Sequence, residues 1–77
     1  MEELKQIFAA NLIRLRTAAG MTQAELAQLI HYSDKAVSKW ERAESIPDAA
    51  VLKTLAAQFQ VTVDYLLEAH EDCDEVQ

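Results

Sequence analysis

Along the first nineteen positions the apolar residues recur at helical spacing. Leu4, Ile7, Phe8, Leu12 and Leu15 form one stripe, which predicts a helix from about Glu3 to Ala19. Gly20 follows and is placed to cap its end. Asn11 lies on the same face and is expected to hydrogen-bond there. Ile13 points the other way, and the pattern does not account for it. A second, shorter pattern carries Leu26, Ala27, Leu29 and Ile30 inward over only two turns. It starts at Thr22-Gln-Ala-Glu25, a capping box: the hydroxyl accepts from a free backbone N–H, and Glu25 reaches back to the cap. His31-Tyr32 makes the break.

Ser33 is the expected cap of a third helix, Asp34 to about Ala43. At about 100° per residue, Lys35, Ser38, Lys39 and Arg42 fall in one sector roughly 100° wide, and Ala36, Val37 and Trp40 fall nearly opposite. The segment reads as a short amphipathic helix with a cationic, hydrogen-bonding outer face. Trp40 belongs to its core side. Ser45-Ile46-Pro47-Asp48 opens a fourth helix, since Pro near the first turn followed by an acid is a start signal. Val51, Leu52, Leu55, Ala56 and Phe59 are its buried stripe. Gln60-Val61 turns, and Thr62 caps a short fifth helix containing Val63, Leu66 and Leu67. Gly and Pro each occur once and β-branched residues are scattered. The fold class is therefore all-α, as a compact five-helix domain over residues 1–68. Residues 69–77 are aperiodic and acidic, and read as a frayed tail or the start of a linker.

Charge changes the picture once it is placed along the chain. The net charge is −6, from seven bases and thirteen acids. Seven of those acids lie at the ends, leaving six acids against seven bases over residues 4–67. A body near neutrality can carry a one-sided basic patch, and three of the seven bases sit within Ser33–Arg42.

The remaining chemistry is sparse. No apolar run approaches the roughly 18 residues of a membrane span. MEELKQIF lacks the order of a signal peptide, so a cytoplasmic location is expected. Cys73 has no partner for an internal disulfide, which fits a reducing compartment. His31 and His70 read as turn and tail residues, not metal ligands. Ser38 has no His on its face to activate it. With no Gly-rich phosphate loop, metal spacing or acid–base constellation, neither an enzyme nor a cofactor is expected.

The second and third helices are joined by about three residues, the spacing of a helix-turn-helix whose second helix enters the major groove. Lysines there can reach guanine or phosphate, Ser38 can serve either, and Asp34 can accept from cytosine N4. Gln23 offers an amide at a helix N-terminus. MTQAELAQLI-HYS-DKAVSKWER, followed by SIPD and VTVDYLLE, resembles the Cro/phage-repressor type of helix-turn-helix, also called the xenobiotic-response-element family, from about Asn11 to Glu68.

That resemblance implies a lambda-repressor-like fold and a homodimer binding two-fold symmetric operator DNA, most often as a repressor. Gln23 matches a phosphate-binding position and Ser33 a capping, phosphate-facing one. Asp34, Lys35 and Lys39 match positions that read base edges, with Ser38 between them. Arg42 matches a polar position near the DNA backbone. Arg16 and Glu41 match a structural ion pair, and each flanks the apolar stripes. Dimerisation through the fifth helix and the Phe59–Tyr65 region is implied in the same way.

Three departures stand out. His31 and Ala43 occupy positions where the family usually has Gly, so each is expected to carry strain if its φ is positive. Glu44-Ser45-Ile46 and Thr17-Ala18-Ala19 lack basic residues for phosphate, which implies a shallow salt dependence. Tyr32 reads equally as a phosphate contact or as packing against the turn. The rival reading of the whole is a protein-interaction module, antitoxin-like or adaptor, using the same fold. Alignment of Lys35, Lys39 and Arg42 on one face near Gln23 favours DNA.

Overall fold

The computed structural model describes residues 2–70, with side chains from Leu4 onward. Residues 71–77 of the acidic tail, Cys73 among them, lie outside the described residues. Five helices follow one another: α1 Glu2–Ala18, α2 Gln23–Leu29, α3 Asp34–Glu41, α4 Ala49–Phe59 and α5 Val63–Leu66.

Short polar side chains set where the helices begin. Thr22 accepts from the Glu25 N–H at 3.1 Å, and the Glu25 carboxylate accepts from the Thr22 N–H at 2.9 Å, which completes the capping box. Ser33 accepts from Ala36 N–H at 3.2 Å and Thr62 from Tyr65 N–H at 3.0 Å. The fourth helix starts later than the proline suggests. Asp48 is its cap, accepting from Val51 N–H at 3.1 Å, and Pro47 is buried one residue before it. A carboxylate satisfies a free N–H, whereas proline only tolerates lacking one, so the cap falls on the acid.

One device ends four of the five helices. Gly20, His31, Ala43 and Gln60 take φ of +74°, +63°, +62° and +59°. In each case that residue and its successor donate back into the last turn. At Gly20 the bonds are Gly20 N–H to Thr17 O (3.0 Å) and Met21 N–H to Arg16 O (3.1 Å). At Ala43 they are Ala43 N–H to Trp40 O (3.2 Å) and Glu44 N–H to Lys39 O (3.1 Å). This paired 5→2 and 6→1 pattern satisfies carbonyls that the helix leaves open. It stops α3 at Glu41, two residues before the end expected from the sequence.

The core gathers between the helices. Phe8 and Leu12 of α1, Leu26 of α2, Val37 of α3, Leu55 of α4 and Leu66 of α5 have no exposed surface. Ile30, Trp40, Val51, Leu52 and Ala56 complete it, with Phe59, Val63 and Leu67 packed at its edge. Leu4 and Leu29, expected inside, are 41% and 46% exposed. Leu29 lies about 60° off the arc spanned by Leu26, Ala27 and Ile30. Leu4 sits a full turn before Phe8, the first fully buried residue of α1.

Asn11 holds the last helix down. It is 1% exposed, and its Nδ2 donates to the carbonyls of Tyr65 (3.2 Å), Leu66 (2.8 Å) and Glu68 (2.8 Å). Two amide hydrogens shared among three acceptors close the C-terminal end of a helix too short to be stable alone.

Candidate nucleic-acid interface

The turn between α2 and α3 is built by His31. Its positive φ lets Tyr32 N–H return to Ala27 O at 2.8 Å, so the chain reverses within one turn of α2. The Tyr32 ring then lies on Trp40, with centroids 5.7 Å apart and planes tilted by 53°. Tyr32 therefore packs against α3 while staying 47% exposed. Val37 and Trp40 bury the inner side of α3.

On the outer side Asp34, Lys35, Lys39 and Arg42 are exposed and Ser38 is half-buried. Ser33 is exposed at the N-terminus of α3, its hydroxyl already engaged with Ala36 N–H. The cationic sector expected from residue spacing thus faces outward along α3 and its C-cap, Arg42. Two side chains, however, are committed within the molecule. Gln23 Nε2 donates to Glu41 Oε1 at 2.9 Å, and its carbonyl oxygen has no hydrogen-bond partner among the described residues. Arg42 Nε lies 3.2 Å from Glu44 Oε2 and its Nη2 3.4 Å from Glu44 Oε1. Glu44 is a charged neighbour that sequence reasoning counted only as a missing base.

Behind this face Arg16 ties three elements together. Its Nε and Nη2 donate to Glu41 Oε2 (2.6 Å) and Oε1 (3.0 Å), and its Nη1 donates to Met21 O at 2.8 Å. The side chains of Arg16 and Glu41 are 15% and 4% exposed. The hydrogen bond to Glu41 raises the Arg16 pKa above its ordinary value; burial opposes it, and the carboxylate's charge adds to the rise. Two-point geometry to a planar carboxylate fixes both partners, and Gln23 joins the same oxygen. The network links α1, the loop before α2, the start of α2 and the end of α3.

Among the described residues, no group of three or more His, Cys, Asp or Glu could hold a metal ion. No helix among them is long and apolar enough to cross a membrane. His70 stacks on Tyr65 at 3.8 Å between ring centroids, and its Nε2 lies 2.8 Å from Tyr65 O.

A family model described as helix-turn-helix (HTH_3) matches residues 12–66. The chain is 39% identical over 64 residues to the HTH-type transcriptional activator BcrR of Enterococcus faecalis, covering 83% of this chain and 31% of that protein. It therefore spans about a third of that relative's length. Among solved structures, a hypothetical transcription factor, NHTF, from Neisseria superposes with a TM-score of 0.82 at 24% identity, covering all of this chain and 90% of the other. The SOS-response transcriptional repressor LexA from Eubacterium rectale gives 0.85 at 27% identity, covering 91% of this chain and 74% of the other. The chain belongs to the HTH_3 family, the Cro/C1 type of helix-turn-helix, and has its lambda-repressor-like five-helix fold.

Proposed function

We propose that this domain is the DNA-reading part of a transcription regulator and places α3 in the major groove. Family membership and likeness to transcription regulators support the general role. The observation that carries the finer reading is the exposed outer face of α3, where Lys35 and Lys39 have no ion-pair partner among the described residues. In this reading Lys35 and Lys39 read base edges, assisted by Asp34 and Ser38, while Ser33 and Gln23 meet phosphate. Gln23 does so with an amide hydrogen not engaged by Glu41.

The similar proteins include one named activator and one named repressor. Repression by occupying promoter DNA needs only the surface described, and it is the sign we propose. Binding is proposed to be by a homodimer on a two-fold symmetric operator, in the cytoplasm.

Selection from a random duplex pool, at low and physiological salt, tests this. Enrichment of paired half-sites about one helical turn apart is the expected result. Enrichment of a lone half-site would remove the dimer and keep the reading head. No enrichment at either salt, with or without a fused dimerisation segment, would leave the α3 face to a protein partner.

A further inference from the structure

We infer that Glu44 sets the strength of DNA binding by holding Arg42 in an internal ion pair. This rests on the proposed reading of α3 as the DNA-facing helix. Residues two apart on a helix do not face each other. Arg42 and Glu44 meet because Ala43, at φ +62°, turns the chain back after α3. Glu44 N–H then caps Lys39 O at 3.1 Å, and its carboxylate comes alongside the Arg42 guanidinium on two oxygens. The pair sits at the C-terminal edge of the cationic sector, next to Lys39.

The two side chains are 58% and 50% exposed, so the pair adds little to folding stability. Its effect is on what the surface offers to a polyanion. Arg42 is the one arginine of the outer sector, and its charge is matched by Glu44 before any phosphate arrives. Using it on DNA means breaking the internal pair and leaving Glu44 beside the phosphate. Among the described residues, Lys35 and Lys39 carry no such restraint. The result is a face whose base-reading cations are available and whose backbone-gripping cation is held back, which favours sequence discrimination over indiscriminate affinity.

The test is a double-mutant cycle with Glu44→Gln and Arg42→Ala, measured on the selected site and on random duplex across a salt series. Glu44→Gln should tighten binding to both DNAs. Its log K against log salt should steepen by about 0.9 per protomer, an eightfold larger gain for each tenfold dilution of salt. The gain should depend on Arg42: Arg42→Ala with Glu44→Gln should bind no more tightly than Arg42→Ala alone. Unchanged binding by Glu44→Gln, with the wild type still binding its site, would overturn this inference and leave the DNA reading intact. A gain that persists without Arg42 would also overturn it, because Glu44 would then act by its own repulsion. Absence of wild-type binding to any duplex would overturn both. Melting temperatures close to wild type in all four proteins establish that each is folded.

Discussion

An alanine at φ +62° gives up stability that a glycine would keep. The left-handed conformation costs an L-residue about 1–2 kcal/mol, and glycine returns part of the difference through its freer unfolded chain. Ala43→Gly should therefore stabilise the domain by about 0.5–1 kcal/mol, visible as a higher urea midpoint. Gly20→Ala should lose a similar amount, purely from backbone strain, since a Cβ built there meets nothing within 4 Å. Equal midpoints for wild type and both variants would show that these turns are unstrained. Glu41→Ala is more severe: it strands a mostly buried Arg16 and should cost about 3 kcal/mol. For a domain of this size that lowers the melting temperature by more than about 10 °C. An unchanged melting point would show that the Arg16 network contributes nothing net. Residue identity made some of this legible. The positive φ of His31 and Ala43 could be anticipated by likeness to the family, whereas Gln60 gave no such signal, because a glutamine can end a helix in several ways. The Arg42–Glu44 pair was invisible for a related reason: it exists only once the backbone angle at Ala43 is known.

At the scale of the element, α3 is short, and its orientation depends on what fixes its two ends. Ser33 fixes the first turn, and the Ala43 turn with Glu41's bonds fixes the last. Ser33→Ala should cost about 1 kcal/mol of stability. Within the helix, Lys35→Ala or Lys39→Ala should each lose about 1–3 kcal/mol on the selected site and relax specificity at one position. Equal losses on selected and random DNA would assign those lysines to phosphate instead. The helices themselves were legible because caps and apolar periodicity are local. Thr22, Ser33 and Thr62 announced their helices within four residues. The margins of buried faces were not: Leu29 fits the α2 pattern yet lies outside its contact arc, since periodicity gives a face but not its width. Gln23's bond to Glu41 joins residues eighteen apart, beyond what local pattern can indicate.

At the scale of the molecule, few charges are placed to hold DNA. With Arg42 matched by Glu44 and Lys35 and Lys39 assigned to base edges, α3 neutralises few phosphates, so the wild-type salt slope should be shallow, no steeper than about −2 per protomer from that helix. A much steeper slope would mean that cations elsewhere carry the binding. The whole also depends on α5, which has only four residues, buries Leu66 in the core and is hydrogen-bonded at its end by one side chain of α1. Asn11→Leu removes the three hydrogen bonds its amide donates to the α5 end and should cost about 3 kcal/mol, with amide exchange at Leu66 and Leu67 accelerating before the rest of the domain. The amide clamp also has a geometric consequence. Because Asn11 grips the carbonyls of Tyr65, Leu66 and Glu68, the end of α5 and the turn after it are bolted to the middle of α1. Any displacement of α5 must therefore break this clamp or carry the middle of α1 with it.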